Sequence, residues 1–305
     1  MGGSIDVIGN TGFLACVWEV TARKVGNVHR NADFQDTTFL DFITSASVIK
    51  PFFCRAHGEE LTGLGHTNLA VAMGNAISEN SMVVRKNTNL GIILLLFPLA
   101  AAWHRLHQPE KRATCMNRVL GRLTKEDASY VYRSICLANP GGLGDAPEQD
   151  VREEPTVTLL EAMRLAADRD MVARQYANGF ADVFDFGVPA FVDAFARFGC
   201  VEAAIIESQL RWLAEYPDSL IARKNGLAVA EDVQMRAVEV LRLGGIATPE
   251  GRAAGVALDK HLRRDGNKLN PGTTADLITA CLFVALRENK VTPSAPFRWD
   301  VPDWL

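Results

Sequence analysis

Side chains that can bind phosphate or transfer protons are grouped in four short polar segments of the sequence. The first segment, residues 24–34, contains a cation in Lys24, an amide in Asn27, an imidazole in His29 and a carboxylate in Asp33. An imidazole or a carboxylate can transfer a proton, and a cation or an amide can bind an anionic or hydroxylated ligand. The segment is therefore a candidate functional turn, and His29 is a candidate functional residue.

The second polar segment, residues 85–91, contains Lys86, Asn87, Thr88 and Asn89 and precedes a long apolar stretch. Backbone N–H groups and cations at the start of a helix suit a bound phosphate. Thr88 or Asn89 can also cap that helix through a side-chain oxygen, and we expect this capping in either case. The sequence leaves open whether the segment also binds a ligand.

The third and fourth polar segments are residues 218–226 and residues 270–277. In the fourth segment, Thr273 and Asp276 have the spacing of a capping box, so Asp276 can simply fix the N-terminus of a helix. An apolar run follows Asp276, so its carboxylate would also lie at the rim of a buried helix. Both interpretations remain open from the sequence.

Asp276 has counterparts in Asp33 and Asp218, which stand on other loops that lead into helices. Carboxylates around a common cleft are natural ligands for Mg²⁺ that carries a polyphosphate, because this hard cation prefers oxygen and keeps several waters. The sequence therefore predicts a magnesium site that involves these three aspartates.

Helical periodicity runs through most of the chain and predicts an all-α fold. Thr124 and Asp127 form a capping-box pattern, and Thr248 precedes a proline in a typical helix start. The apolar run at residues 91–97 is short enough for a strand, but it continues to Trp103 and favours one long buried helix. We found no pattern of alternating strands and helices.

We expect a single all-helical catalytic domain over residues 1–305. Its architecture would be a multi-helix bundle with buried central helices and a polar cleft formed by the loops that lead into helices. Residues 139–155 are rich in glycine, proline and acids. Such an unpatterned stretch within a compact helical protein is more often functional than a linker, so we interpret it as a functional loop.

Composition excludes several classes of protein. The chain is 48% hydrophobic and 22% charged with a net charge of −4, which suits a globular protein and argues against a nucleic-acid partner. The longest apolar run, residues 90–102, contains Pro98 and is shorter than the roughly 20 residues of a membrane-spanning helix. Six scattered cysteines predict free thiols and a cytoplasmic location. The expected partners are small molecules, and a homodimer is a possible assembly.

In their order and residue sequence, the polar segments resemble motifs of the triphosphoribosyl-dephospho-coenzyme-A synthase family, whose members serve citrate lyase and malonate decarboxylase. The family's K-P-G-x-V opening, with an aspartate ahead of T-F, is similar to residues 24–28, Asp33 and residues 38–39. The other matching motifs are N-T-x-x-G at 87–91, G-G-L at 141–143, D-[ST]-x-I at 218–221 and N-P-G-x-x-A-D-L at 270–277. Five motifs in order are more specific than any one alone.

The resemblance implies an all-helical enzyme that uses ATP as a sugar donor. A ribose 2′-hydroxyl of 3′-dephospho-coenzyme A would attack C1′ of the ATP ribose, adenine would leave, and the triphosphate would stay on the transferred sugar. Such a reaction needs stabilisation of positive charge on the ribose, a base for the incoming hydroxyl and help for the departing adenine. The retained triphosphate needs cations and Mg²⁺.

On this resemblance, Asp33 and Asp276 would bind metal or stabilise the ribose cation, one of them is a candidate base, and His29 joins them as a catalytic candidate. The remaining assignments share nucleotide binding: Lys24, Lys86, Arg223 and Lys224 would hold phosphates, Asn87, Asn89 and Asn270 would orient sugar hydroxyls, and Asn27, Thr88, Asp218, Thr273 and Thr274 complete the set.

The chain departs from the family pattern at three places. Asn89-Leu90 stands where the family carries His-Lys, Gly144-Asp145 where it carries Arg and an acid, and Thr273-Thr274 where it carries small Gly or Ser. The two missing cations remove two potential phosphate contacts, each worth about 1.5–3 kcal/mol. Three alternatives therefore stay open: a related phosphoribosyl transfer in another cofactor pathway such as tetrahydromethanopterin synthesis, a Mg²⁺-dependent nucleotide or N-glycoside hydrolase, and a non-catalytic nucleotide-binding protein.

Overall fold

The computed structural model describes residues 5–56, 65–103, 106, 111–141 and 148–292. Within these ranges the regular structure is helical and contains no β-strand, so the all-α prediction is confirmed. Short 3₁₀ turns at Lys50–Phe52 and Gly245–Ala247 and a π-helical segment at Asp182–Gly187 accompany the α-helices. The α-helices are α1 (Ile5–Thr21), α2 (Phe39–Ile49), α3 (Phe53–Ala56), α4 (Asn68–Val84), α5 (Leu90–Ala102), α6 (Arg112–Leu120), α7 (Lys125–Ala138), α8 (Leu159–Ala166), α9 (Met171–Asn178), α10 (Val188–Phe198), α11 (Val201–Glu215), α12 (Ser219–Asn225), α13 (Leu227–Arg242), α14 (Pro249–Arg263) and α15 (Gly272–Arg287).

The helix starts predicted from capping patterns are present. Thr124 and Asp127 bond to each other's backbone N–H groups and so form a complete capping box at α7. Thr248 accepts a hydrogen bond from the backbone of Gly251 and caps α14, which begins at Pro249. Both predictions are confirmed, because each rests on local hydrogen bonds that the sequence alone specifies.

The chain divides into two compact units. Unit 1 takes Met1–Leu14 and Thr44–Val183, and unit 2 takes Ala15–Ile43 and Phe184–Leu305. The expectation of a single domain stays a prediction, and each unit is described in turn.

Unit 1 is built around α5, whose side chains from Ile92 to Ala102 are all buried. This confirms the predicted buried helix in place of a strand. Pro98 lies inside the helix and lacks an N–H group, which leaves the carbonyl of Leu94 without its helical donor. The hydroxyl of Tyr176 donates to that carbonyl at 2.7 Å, so a side chain from α9 replaces the missing bond.

Unit 2 has an apolar core in which α11 supplies Ile206, Leu210 and Leu213. These side chains pack with buried residues of α13 and α14, and α15 is buried over most of its length. Helix α11 also carries four buried polar side chains: Glu202, Glu207, Ser208 and Gln209. A buried polar group costs free energy unless it is hydrogen-bonded, so their partners show where unit 2 has organised polar structure.

None of the helices in the described ranges combines the length and the hydropathy needed to cross a bilayer. All six cysteines are free thiols, as the sequence predicted.

Candidate functional site

The turn that follows α1 requires glycine at position 26. Gly26 has a φ of +70°, and a Cβ atom there would lie 2.5 Å from a methyl carbon of Leu262. Its N–H donates to Asp259 Oδ1 at 2.8 Å. A side chain at this position would strain the backbone and collide with α14, so the turn can approach α14 this closely only with glycine.

Gln209 of α11 links the first polar segment to the fourth. Its Oε1 accepts from Val25 N at 2.9 Å and its Nε2 donates to Val25 O at 2.8 Å. The same Nε2 donates to Asn27 Oδ1 at 2.6 Å, and Asn27 Nδ2 donates to Asn270 Oδ1 at 2.6 Å. Asn27 and Asn270 are 243 residues apart in the chain, so side-chain amides join two segments that are distant in sequence.

Glu202 binds both ends of the stretch between Arg23 and Arg30. The carboxylate is fully buried and lies 2.9 Å from Arg23 Nε and 2.5 Å from Arg30 Nη1. It also accepts from the backbone N–H of Arg23 at 3.1 Å. Sequence reasoning missed this pairing, since the partners are 172–179 residues apart and no local pattern connects them.

Lys24 forms a buried ion pair instead of facing solvent. Its Nζ lies 2.9 Å from Glu19 Oε1 and donates to the carbonyl of Glu19 at 2.6 Å. Burial lowers the pKa of Lys24 and raises the pKa of Glu19, and the ion pair opposes both shifts. In this arrangement the ammonium group is engaged within the protein, and a phosphate-binding role for Lys24 stays a prediction.

His29 is buried and held as a neutral imidazole. Burial lowers its pKa to about 3, and the nearby cations Lys24, Arg263 and Arg30 add to the shift. Its Nδ1 accepts from the backbone N–H of Asn31 at 3.2 Å, so the proton resides on Nε2. The group suits hydrogen-bond donation through Nε2 rather than proton release near neutral pH, and its catalytic role stays a prediction.

Asp33 is exposed and lies beside the start of α2. Its Oδ1 accepts from the backbone N–H of Phe39, the first residue of the helix, at 2.6 Å. Asp33 therefore stabilises the N-terminus of α2 with one oxygen. A second, catalytic use of this carboxylate is compatible with the geometry and stays a prediction.

Asp218 joins the third polar segment to the fourth. Its Oδ1 accepts from Leu220 N at 2.9 Å and Ile221 N at 3.0 Å, which caps α12. Its Oδ2 accepts from the backbone N–H and from the hydroxyl of Thr274, both at 2.8 Å. Burial raises the pKa of Asp218, and the hydrogen bonds from Thr274 and Ile221 oppose the shift.

The capping-box interpretation of Thr273 and Asp276 is wrong. Helix α15 has Pro271 at its N-cap position and no side-chain cap of its own. Asp218 supplies the missing acceptor to Thr274 from outside the helix, and Ser219 donates to the Thr273 hydroxyl at 3.1 Å. Asp276 is half-buried in the second turn of α15. Burial raises the pKa of the Cys16 thiol, and the nearby carboxylates of Glu19 and Asp276 add to the shift.

The predicted metal site has the right donor chemistry, but its three aspartates are not gathered. Over the described part of the chain, no three His, Cys, Asp or Glu side chains form a group that could hold a metal ion. Both oxygens of Asp218 already accept hydrogen bonds. A Mg²⁺ ion bound with a polyphosphate needs only one or two protein carboxylates, so Asp33 and Asp276 remain chemically suitable.

The cations of the third segment lie at the surface of α12. Arg223 is exposed, and Lys224 is half-buried with Nζ donating to the carbonyl of Asn267 at 3.5 Å. Burial lowers the pKa of Lys224, and the nearby Asp36 carboxylate opposes the shift. Asn267 also donates to Asp36 at 2.6 Å, so α12, the stretch just after the first segment and the stretch just before the fourth are connected within unit 2.

The second segment belongs to unit 1, where Asn87 rather than Thr88 or Asn89 supplies the helix cap. Asn87 Oδ1 accepts from Leu90 N at 3.3 Å, whereas Asn89 makes no side-chain cap bond. The Thr88 hydroxyl bonds instead to Ser45. The capping prediction was therefore correct for the helix and wrong for the residue.

Two buried amide side chains, Asn89 in this segment and Asn80 beside it on α4, each leave one polar atom without a partner among the described residues. Asn80 donates to the Thr88 hydroxyl at 3.3 Å, but its Oδ1 has no hydrogen-bond partner among the described residues, and neither does Nδ2 of Asn89. Asn80 is 4% exposed and Asn89 is 1% exposed. Asn80, Lys86 and Asn87 line a shallow pocket at the start of α5.

The predicted functional loop at residues 139–155 is described only in part. Gly142, Leu143, Gly144 and Asp145 lie outside the described residues. Beyond them, Tyr132 donates to the carbonyl of Gln149 at 3.0 Å, which attaches the second half of the loop to α7. A function for the loop stays a prediction.

Fold and site together define an all-α protein that presents carboxylate, amide and cationic side chains on the turns leading into its helices. The chain belongs to the ATP:dephospho-CoA triphosphoribosyl transferase family, whose sequence profile matches residues 6–294. The resemblance seen in the motifs is confirmed, and with it the prediction of a transferase.

Individual relatives agree with this membership. A Pseudomonas savastanoi pv. phaseolicola protein named "Probable 2-(5''-triphosphoribosyl)-3'-dephosphocoenzyme-A synthase" is 32% identical over 219 residues, which cover 62% of this chain and 72% of that protein. The Klebsiella pneumoniae 2-(5''-triphosphoribosyl)-3'-dephosphocoenzyme-A synthase is 30% identical over 37% of this chain and 40% of its own length.

A solved structure supports the fold. An Archaeoglobus fulgidus protein described as a "putative triphosphoribosyl-dephospho-coA synthase" superposes with a TM-score of 0.60 at 25% identity, over 81% of this chain and 98% of that one. The names of these relatives give no support to the hydrolase, pterin-pathway or non-catalytic alternatives.

Proposed function

We propose that this chain transfers the triphosphoribosyl group of ATP to the 2′-hydroxyl of 3′-dephospho-coenzyme A. The family match over residues 6–294 carries the proposal, because it spans all four polar segments. The C1′–N9 bond of ATP breaks and a bond from the acceptor oxygen to C1′ forms. Adenine leaves with the bonding electrons and gains a proton, and a base takes the proton of the 2′-hydroxyl.

Within unit 2, Asp33 and Asp276 are the carboxylates suited to the reacting sugar. Through contacts with the described residues, Asp33 uses only Oδ1, which accepts from Phe39 N at 2.6 Å. A carboxylate can stabilise an oxocarbenium-like ribose or accept the proton of the hydroxyl. Either aspartate can be the base, and the other would face the ribose.

His29 would assist as a hydrogen-bond donor. Because its pKa is lowered to about 3, it is neutral at pH 7 and offers the Nε2 proton to an oxygen or to a ring nitrogen of the departing adenine. The cations that lower this pKa, among them Arg30 and Arg263, also favour a polyphosphate nearby.

ATP would bring Mg²⁺ to the site, where the ion would neutralise charge on the triphosphate. Within unit 2, Asp33 and Asp276 are the candidate protein ligands, and Arg223 and Lys224 are the candidate phosphate contacts. Lys86, in unit 1, keeps the phosphate-binding role that the sequence predicts. Asp218 is better suited to holding α12 and α15 together, since four donors occupy its oxygens. We also expect a cytoplasmic location, with a homodimer as a possible assembly.

The test is adenine release from ATP and Mg²⁺, measured by chromatography with and without dephospho-coenzyme A. The expected result is one adenine per modified acceptor and none without the acceptor. Adenine released without acceptor would establish a hydrolase, ADP would establish phosphate chemistry, and ATP binding without turnover would establish a non-catalytic protein.

A matched pair of variants separates chemistry from folding. Asp33→Asn should lower kcat by roughly 10²-fold or more, as expected for a lost acid–base or charge-stabilising group. Asp36→Asn changes an exposed carboxylate of the same turn and can still accept from Asn267, so its kcat should stay near that of the wild type. Equal activity in both variants would remove Asp33 from the mechanism.

A further inference from the structure

The orientation of the Gln209 side-chain amide is dictated by the backbone. A backbone N–H can only donate and a carbonyl can only accept. Val25 presents one of each to Gln209, at 2.9 Å and 2.8 Å, so Oε1 must face the N–H and Nε2 must face the carbonyl. Gln209 is fully buried, which leaves no solvent to satisfy the reversed orientation.

The orientation of Gln209 determines the orientation of two further side-chain amides, those of Asn27 and Asn270. Gln209 Nε2 lies 2.6 Å from an Asn27 side-chain atom, which must therefore be the acceptor Oδ1. Asn27 then presents Nδ2, which donates to Asn270 Oδ1 at 2.6 Å and to the carbonyl of Pro271 at 3.2 Å. A reversed Asn27 would place its oxygen against the Pro271 carbonyl and a second N–H group against Gln209.

Asn270 ends the chain of amides with its Oδ1 occupied and its Nδ2 unengaged by any described residue. The side chain is only half-buried, so the NH₂ group is available to a ligand. We propose that Gln209 is a positioning residue that acts through Asn27 to make Asn270 present an N–H donor to an oxygen of the bound nucleotide. The inference rests on the proposed function for the nucleotide itself.

The chemistry recognised is an acceptor oxygen, either of a phosphate or of a ribose hydroxyl. If Asn270 were free to rotate, its carbonyl oxygen would face the ligand half of the time and would repel a phosphate. Because the three amides are already oriented before the nucleotide arrives, binding does not have to include the free-energy cost of orienting the Asn270 donor.

Calorimetric binding to the full chain tests the relay, with ATP, inorganic triphosphate and adenosine as separate probes. Asn270→Asp replaces the NH₂ group with an oxygen of the same size and should weaken ATP binding about tenfold or more. A matching loss for inorganic triphosphate identifies a phosphate oxygen, and a matching loss for adenosine identifies a ribose hydroxyl. Unchanged ATP affinity in Asn270→Asp overturns the proposal.

Gln209 is tested through pH. Gln209→Glu should weaken ATP binding at neutral pH and recover in part, relative to wild type, as the pH falls, because the protonated carboxyl has one O–H group that can donate to Asn27 Oδ1 or to the carbonyl of Val25 but not to both. Gln209→Met has no titrating group and should show no such recovery. Equal defects in the two variants at every pH would mean that Gln209 is only structural.

Gln234→Glu is the control for folding. Gln234 Nε2 donates to the carbonyls of Ala214 and Glu215 at 3.1 Å and 3.0 Å, so this variant loses the same kind of bonds elsewhere in unit 2. Its ATP affinity should match that of the wild type. Because the readout is binding, a wild-type protein that binds ATP without releasing adenine refutes the proposed function alone, whereas a transferring enzyme with unchanged binding in Asn270→Asp refutes the relay alone.

Discussion

Both units bury asparagine side chains in or beside a polar turn, but the hydrogen bonding of these side chains differs between the units. In unit 2, Asn27 uses its oxygen and its nitrogen, bonding to Gln209 and Asn270 at 2.6 Å each. In unit 1, Oδ1 of Asn80 and Nδ2 of Asn89 find no hydrogen-bond partner within the described residues. In unit 2, the side-chain amide of Asn27 is hydrogen-bonded within the protein through both its oxygen and its nitrogen. In unit 1, the start of α5 keeps buried polar atoms without partners among the described residues.

The difference separates two ways of preparing a site. A buried polar group without a partner costs about 1–3 kcal/mol, which a ligand or a water molecule can recover by supplying the missing bond. The saturated turn of unit 2 carries no such cost and gains a fixed geometry. We infer that unit 2 orients ligand groups, whereas the start of α5 in unit 1 gains stability when it is occupied.

The largest expected effect on stability comes from disrupting the hydrogen bonds that Asp218 accepts in unit 2. Asp218→Asn must place an N–H group against a donor, since both oxygens are in use, and should lower the free energy of unfolding by about 3 kcal/mol. Urea denaturation measures the change.

Glu161→Gln is the control for that experiment. Glu161 accepts from the backbone N–H and the hydroxyl of Thr158 through Oε2 in the capping box of α8, and glutamine serves about as well at this position, so little change is expected. If Asp218→Asn kept wild-type stability but raised the Mg²⁺ requirement, Asp218 would be a metal ligand and not a structural clamp.

A medium effect is expected from His29 as the pH falls. The unfolded histidine binds a proton below its ordinary pKa of 6.5, whereas the folded one does so only near 3. Between these values the unfolded state holds the extra proton, so stability is lost as the pH falls. From pH 6.5 to pH 5 the loss is about 2 kcal/mol.

The variant His29→Gln has no such titration and should lose that much less stability over the same interval. Denaturation curves at several pH values measure both slopes. Parallel slopes in wild type and variant would show that His29 is not held neutral by the fold.

The smallest effect on stability is expected at Asn89. Asn89→Ala removes a donor that bonds to no described residue and should change the free energy of unfolding by less than about 1 kcal/mol, while weakening ATP binding about threefold to tenfold. Asn27→Ala removes a hydrogen-bond partner from Gln209 and from Asn270 and should lower the free energy of unfolding by about 2–3 kcal/mol. Equal stability losses would remove the contrast between the two turns.

Much of the fold could be predicted from the sequence, because helices depend on local periodicity and caps. Helix α5 and the caps at Thr124 and Thr248 are examples. The residue types of the candidate site were also visible. Their partners were not: Gln209 and Asp218 act on residues 184 and 56 positions away, and no spacing rule reaches that far.

Local signals also misled where tertiary contacts replaced them. The Thr273–Asp276 spacing predicted a capping box, but Asp218 supplies the acceptor from another helix. Thr88 could have capped α5, but its hydroxyl bonds to Ser45. In both cases a helix start needed an acceptor, and the fold offered a different one from the nearest in sequence.

Because Arg23 and Arg30 both pair with Glu202, the segment between them forms a closed loop of fixed length. Positions in this segment other than Gly26 can be substituted without changing its length, but adding or deleting a single residue would pull one guanidinium away from the shared carboxylate. Diversification of this stretch among descendants of the same ancestor should therefore proceed by replacement and not by change of length.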